Sequence, residues 1–278
     1  MSTTATTSAL VRSCHPGPTV AVTCFATVLA VCAGNDAATC TVLAVAVLAG
    51  QLSIGWSNDR IDATRDRIVD RTDKPIATGE LAGRTVDRVI AAALLVTVAF
   101  SLALGWRAGL LHLAAVGCGW SYNLWLKATW FSFVPYAAAF GALPAIATLA
   151  LPDHPAPAAW LMIAGALFGI AAHLANALPD LAGDRATGVL GLPHRIGARP
   201  SLVLIVMLLI AATGWLALGP PGAVIPLGWA ALAFSAVAGI GGAATLWQRP
   251  TSKLSFYAII AIVGLDLVLI VLSRHQLH

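Results

Sequence analysis

The stretch AATCTVLAVAVLAGQLSIGWSNDRIDATRD (37–66) decides the fold class. Its first twenty residues carry no charge, whereas Asp59, Arg60, Asp62, Arg65 and Asp66 crowd its end. About 20 apolar residues are what a helix needs to cross a bilayer, so the charged end marks where the chain leaves it. Apolar runs and polar breaks alternate in the same way along all 278 residues, which are 59% hydrophobic and only 10% charged. A soluble domain carries about 25% charged residues, for want of which its surface would not be wetted. The composition therefore excludes a soluble globular domain, a disordered chain and a secreted disulfide scaffold. It leaves an all-α polytopic membrane protein, with every backbone polar group satisfied inside a helix.

Nine transmembrane helices around a central cavity are expected, at about 17–34, 37–56, 86–105, 108–126, 131–151, 157–178, 200–218, 223–246 and 255–273. The breaks are Gly34-Asn35-Asp36, Trp106-Arg107, Leu151-Pro152-Asp153, Gly219-Pro220-Pro221-Gly222 and Gln248-Arg249-Pro250. Residues 1–16 read as a polar N-terminal arm, without the basic start and short apolar core of a signal peptide. Residues 17–278 read as one transmembrane domain. Of the five cysteines, Cys24, Cys32, Cys40 and Cys118 sit in apolar runs and Cys14 in the arm. They read as small buried side chains, since no zinc or CxxC spacing occurs.

The net charge of +4 does not signal nucleic acid. With the N-terminus in the cytoplasm, 14 of the 16 basic residues fall on that side, Arg249 and Lys253 among them, and only Arg107 and Arg274 fall opposite. That is the positive-inside pattern. It predicts an integral membrane protein with a cytoplasmic N-terminus and two large cytoplasmic loops, at about 57–85 and 179–199.

Nine of the 12 acids border those two loops. The first reads Asn58-Asp59-x-x-Asp62-x-x-x-Asp66, the second Asn176-x-x-x-Asp180-x-x-x-Asp184; the shared N-x-x-x-D-x-x-x-D pattern recurs 118 residues apart, as in an internal repeat. On a helix, positions i, i+4 and i+8 share a face. Each copy would then present an amide and two carboxylates at the cytoplasmic end of a helix. Like charges beside hydrocarbon require a counter-cation, and an oxygen-only donor set suits Mg²⁺ with phosphate oxygens. Arg65, Arg67, Arg71, Lys74, Lys127, Arg185 and Arg195 border the same loops and supply donors for phosphate oxygens that metals leave open. Metals and cations together predict a diphosphate site at the cytoplasmic face. Arg84, Arg88, Arg199 and Arg249 read instead as topology signals.

These residues resemble the UbiA superfamily of intramembrane prenyltransferases. NDRIDATRD (58–66) is similar to its first motif, NDxxDxxxD, and DLAGD (180–184) to its second, DxxxD. Asp70-Arg71, Lys74-Pro75-Ile76 and Gly79 resemble the loop after the first motif. Tyr122-Asn123 with Lys127 resembles the end of the family's fourth span, and Gly188, Leu192-Pro193 and Ile196-Gly197 the loop after the second motif. The likeness covers about residues 20–270. It departs at Lys74-Pro75, where the family usually has Arg-Pro; charge is kept and bidentate phosphate binding is lost.

The resemblance implies two Mg²⁺ ions, held by Asn58, Asp59, Asp62 and Asp66 and by Asn176, Asp180 and Asp184, that bridge the diphosphate of an isoprenyl donor. Asp62, Asp66, Asp180 and Asp184 would carry the catalysis; Asn58, Asn176, Arg65, Arg67, Arg71, Lys74, Lys127 and Arg195 would bind diphosphate. Ionisation of an allylic diphosphate leaves a carbocation that aromatic faces stabilise and a dry cavity protects. Trp120, Tyr122, Trp125, Trp130, Phe131, Phe133 and Tyr136 cluster around spans four and five, and Tyr122, Trp125, Tyr136 and His173 are expected to wall that cavity. His112 has no evident partner. Asp266 is an intramembrane acid and hence a functional candidate, either an acceptor-side base or the partner of a polar neighbour. The expected reaction is Mg²⁺-dependent transfer of an isoprenyl group to an aromatic or other small acceptor whose identity the sequence withholds. An intramembrane terpene cyclase would use the same motifs. A transporter of cations or phosphorylated solutes would need polar residues near the midplane, and here the acids gather at one face.

Overall fold

The structure, a computed structural model, describes residues 3–248 and 254–277. Twelve α-helices occur among them: α1 (Thr3–Ser13), α2 (Pro16–Ala33), α3 (Ala37–Ile68), α4 (Gly83–Ala103), α5 (Trp106–Leu124), α6 (Val134–Leu149), α7 (Ala159–Ala177), α8 (Leu181–Ala186), α9 (Leu192–Ile196), α10 (Ala198–Leu218), α11 (Pro226–Gln248) and α12 (Leu254–Leu272). No strand occurs among the described residues. Each expected span overlaps one of the longer helices from α2 to α12. Among the described residues, six segments suffice by length and apolarity to cross a membrane: Pro16–Ala33, Ala37–Ile68, Gly83–Ala103, Ala159–Ala186, Ala198–Leu218 and Pro226–Thr245. Val134–Leu149 is apolar but shorter, the stretch Ala261–Leu272 within α12 is apolar, and α5 carries Arg107 and His112 within its length. Arg249 and Lys253 lie outside the described residues.

Helices adjacent in sequence pack side by side, and α12 returns against α2, so the bundle closes on itself. Small residues set how closely its members approach. A Cβ at Gly165 would meet the Phe140 carbonyl oxygen at 2.7 Å, and one at Gly169 would collide with that of Tyr136. The Gly-x-x-x-Gly face of α7 thus lies backbone to backbone on α6, and one turn further on it brings His173 beside Tyr136. At the other end of the bundle the Asn35 amide donates to the carbonyls of Ala30 at 3.1 Å and Ala147 at 2.9 Å, joining the α2–α3 turn to α6.

Two elements depart from the sequence expectation, and both lie at the charged end. First, α3 does not stop at residue 56. Asp36 caps its start by accepting from the Thr39 N–H at 2.7 Å, and it runs for 32 residues, about 48 Å at 1.5 Å per residue. That exceeds the roughly 30 Å hydrocarbon thickness, so Asn58–Asp66 stand on a helix that continues past the apolar span, and the first loop shrinks to 69–82. Second, the polar arm is helical. Its helix α1 lies on α3, with Ala9 buried, and the Trp56 indole donates to the Leu10 carbonyl at 2.9 Å.

Candidate active site

The two acidic motifs come together. Asp62 and Asp66, on α3, and Asp180 and Asp184, after α7, line a single cleft of about 280 Å³ with Arg65, Val69, Arg71, Pro179, Gly183 and Thr187. Elements far apart in sequence thus bring four carboxylates to one place, and each distributes its charge differently.

Asp62 accepts from Lys127 at 2.6 Å on both oxygens and pairs with Arg65 one turn along the same helix. Lys127 sits in the 3₁₀ turn Leu126–Ala128 that follows α5. Burial, helped by Arg65, draws its ammonium down to about 7, against the opposing charges of Asp184 and Asp66. Asp180 accepts from Arg71 at 2.8 Å. The same guanidinium forks onto Asp73 at 2.8 and 2.9 Å and holds that carboxyl at about 2. Asp184 accepts from His194 Nε2 at 3.0 Å. Since the Gly191 N–H donates to His194 Nδ1 at 3.1 Å, Nε2 is the protonated nitrogen of the neutral ring, and the contact with Asp184 is a directed donor bond. The Asp66 carboxylate takes no hydrogen bond or ion pair among the described residues, and burial raises its pKa, partly offset by Lys74.

The second motif is not one continuous helical face. Pro179 removes a backbone donor and α7 ends at Ala177; Leu178–Asp180 form a 3₁₀ turn before α8 begins. The tighter winding, at 3.0 residues per turn, turns Asp180 and Asp184 into the cleft and leaves Asn176 exposed and outside its lining. Asn58 of the first motif is half-buried. Its Nδ2 donates to Asn123 Oδ1 at 3.0 Å, and Asn123 in turn donates to Ile54 O and Ser57 Oγ, both at 2.9 Å. The Oδ1 of Asn58 accepts nothing among the described residues. Asp59 does not line the cleft; it accepts from Lys74 at 2.6 Å.

The expected cations divide in the same way. Arg65, Arg71 and Lys127 reach cleft carboxylates. Arg67 donates to the carbonyls of Ala77 and Ile76, at 3.3 and 3.4 Å, and so pins the 69–82 loop. Arg195 donates to Leu190 O at 2.7 Å and lies over the Trp130 ring at 5.1 Å, away from the cleft. Arg185 bonds the His194 carbonyl.

Three of the four expected wall residues form one cluster. Tyr122 and Tyr136 meet edge to face at 5.2 Å, and His173 lies 5.6 and 5.1 Å from them. Tyr122 stands on the last turn of α5, just before the turn that carries Lys127 to Asp62, and His173 near the end of α7, just before Asp180, so the cluster adjoins the cleft. Trp125 is 58% exposed and points outward, as do Trp130 and Phe131. Ser132 tightens the same corner. Its Oγ accepts from the Leu192 N–H at 2.9 Å and lies 3.0 Å from His173 Nε2, while a Cβ at Gly191 would meet the Lys127 carbonyl at 2.5 Å. His112 bonds Ser101 at 2.7 Å, and Asp266 accepts from Thr213 at 3.0 Å between α10 and α12. Sequence reading missed His194, Ser132 and His15, and gave Asn123, quoted beside Tyr122, no role of its own. Only His194 carried a signal, by lying between Leu192-Pro193 and Ile196-Gly197.

This donor set fits Mg²⁺. All the cleft acids offer hard oxygens, Asp66 is uncommitted, and Asn58 retains a carbonyl oxygen. No three acids, histidines or cysteines converge on one point among the described residues; Lys127, Arg65 and Arg71 offset the carboxylate charge instead, and His194 hydrogen-bonds Asp184.

A protein-family model described as the UbiA prenyltransferase family matches residues 3–263. The chain belongs to the UbiA prenyltransferase family. With its long apolar helices, that membership makes it an integral membrane protein among the intramembrane prenyltransferases. Solved structures share the UbiA fold over nearly the whole chain. The apo structure of a UbiA homologue from Aeropyrum pernix K1 has a TM-score of 0.73 at 19% identity, covering 92% of this chain and 98% of that one. A UbiA homologue from Archaeoglobus fulgidus bound to GPP and Mg²⁺ has 0.68 at 17%, covering 97% and 99%. A digeranylgeranylglyceryl phosphate synthase has 0.68 at 16%, covering 97% and 98%. No curated protein matches the chain.

Proposed function

We propose that the chain transfers an isoprenyl group from an isoprenyl diphosphate to an aromatic or other small acceptor. In this reading nine helices cross the bilayer, the N-terminus is cytoplasmic, and the acidic cleft opens at the cytoplasmic face. The observation that carries it is the meeting of Asp62, Asp66, Asp180 and Asp184 in one cleft rimmed by Arg65, Arg71 and Lys127. The same pair of ligands bound to the Archaeoglobus homologue, GPP and Mg²⁺, supports the choice.

The four carboxylates and Asn58 Oδ1 would hold two Mg²⁺ ions, which when bound draw off the charge building on the departing diphosphate. Arg71 and Lys127 would exchange a carboxylate partner for phosphate oxygens. The allylic C–O bond breaks and its electron pair leaves with the diphosphate. Tyr122 and Tyr136 present π faces to the carbocation, and the surrounding apolar helices keep water from it. The acceptor nucleophile then bonds to that carbon and gives up its proton. Asn176, Arg67, Arg195 and Trp125 have no direct part in this reading.

Purified protein, Mg²⁺ and donors of several lengths, with and without acceptor pools, test it by mass spectrometry of the products. A prenylated product that requires both donor and acceptor is expected. A cyclic hydrocarbon or alcohol formed from donor alone would make the protein a terpene cyclase and overturn the transferase reading.

A further inference from the structure

Asp59 belongs to the first acidic motif, yet its surroundings differ from those of Asp62 and Asp66. It is 1% exposed and stands outside the cleft lining. Two donors from separate segments converge on its Oδ1: Lys74 Nζ from the 69–82 loop at 2.6 Å and His15 Nε2 from the arm at 2.9 Å. Its Oδ2 is buried with no protein partner. His15 holds an uncommon backbone conformation for a non-glycine residue, with φ +54°. It occupies the N-cap of α2 but makes no capping bond with its side chain; that side chain is turned to Asp59.

Other contacts draw the same segments together. The Cys14 backbone lies against Gly55, where a Cβ would collide with its carbonyl. Arg12 pairs with Glu80 at the far end of the loop. Within the loop, the Lys74 N–H donates to the Arg71 carbonyl at 3.5 Å, so the two residues share one turn. Arg71 then reaches Asp180 across the cleft. An unbroken path of contacts therefore runs from His15 through Asp59 and Lys74 to Arg71 and the second motif.

We propose that Asp59 anchors a clasp rather than ligating metal, and that His15 and Lys74 are positioning residues that close the arm and the 69–82 loop over α3 and hold Arg71 in reach of Asp180. The inference rests on the proposed prenyl transfer for its kinetic consequence alone; the clasp itself is read from geometry.

Hydrogen exchange of the full-length protein in detergent, Mg²⁺ titration followed by thermal unfolding, and turnover test it in His15→Ala, His15→Gln and Asp59→Asn. Losing a hydrogen bond to a charged group is worth about a tenfold shift or more. His15→Ala and Asp59→Asn should each speed exchange across residues 69–82 about tenfold and lower kcat, with the Mg²⁺ half-saturation unchanged. Combining them should add little to either alone. His15→Gln, which keeps a donor at the same place, should restore the wild-type values. Unchanged exchange across 69–82 in His15→Ala, or a roughly tenfold rise in Mg²⁺ half-saturation in Asp59→Asn, overturns the clasp. Should Asp59→Asn not fold, Lys74→Met carries the same comparison. Absence of prenyl transfer by the wild-type chain would count against the proposed reaction, while exchange and Mg²⁺ binding would still decide the clasp.

Discussion

Replacing Lys127 with methionine keeps the length of the side chain and removes its charge. Lys127 is 7% exposed, and its ammonium touches both Asp62 oxygens at 2.6 Å. Two consequences are measurable separately. Breaking a fully buried ion pair costs about 3–5 kcal/mol. Here Asp62 retains Arg65 and is 19% exposed, which reduces the loss to about 1–2 kcal/mol, a few degrees in the unfolding midpoint. The effect on turnover is larger. A fixed charge aimed at a developing leaving-group anion is worth about 2.7–4 kcal/mol, or 10²–10³ in kcat. Thermal unfolding in detergent reads the first effect, and diphosphate release at saturating donor and Mg²⁺ reads the second. Lys127→Met should unfold a few degrees lower and lose at least about 100-fold in kcat, while Lys127→Arg, which keeps the charge, should lose about tenfold or less. A folded Lys127→Met protein within about threefold of wild-type kcat refutes the assignment of Lys127 to the leaving group.

Gly169→Val should lower the unfolding midpoint by the equivalent of about 1–3 kcal/mol, because its branched side chain drives into the Tyr136 carbonyl and parts α6 from α7; an unchanged midpoint would show that the close approach is not needed. Chelating divalent ions should abolish product formation, and added Mg²⁺ should restore it in an assay of prenylated product; undiminished turnover in chelator would remove the metal from the reaction. Asp266→Asn should leave stability within about 1 kcal/mol, since the amide oxygen still accepts from Thr213, whereas Asp266→Ala should lose about 2 kcal/mol through the unpaired hydroxyl and the space left behind. Neither change should alter kcat, since Thr213 and Asp266 lie in the C-terminal halves of α10 and α12 and outside the cleft lining; a large loss of turnover would place Asp266 in the reaction.

Much of the architecture is legible in the sequence because hydrocarbon imposes a simple rule: apolar runs of spanning length become helices, and the polar breaks fall between them. The meeting of the two acidic motifs is also legible, since a repeated N-x-x-x-D-x-x-x-D pattern with bordering cations has few other uses beside a membrane. Side-chain direction is less so. Arg67 lies as near the first motif in sequence as Arg65 and Arg71 do, and Arg195 sits in the loop after the second, yet one pins loop carbonyls and the other covers Trp130. Asn176 matches Asn58 in spacing, but the 3₁₀ turn at Pro179 breaks the helical face that spacing assumes. His15 and Ser132 take their importance from partners 44 and 41 residues away, which no local pattern records. The helix of the arm is a tertiary effect, ordered where the backbone of Leu10 and Cys14 meets Trp56 and Gly55 of α3.

Diphosphate release by purified Asp62→Ala and Asp180→Ala, measured with isoprenyl diphosphate, acceptor and limiting Mg²⁺, tests the central claim that the two motifs build one metal-dependent site. The account predicts that both variants fold as wild type does, judged by thermal unfolding, and that each alone loses turnover, because either half of the cleft is useless without the other. Wild-type rates of release in a folded form of either variant would contradict it.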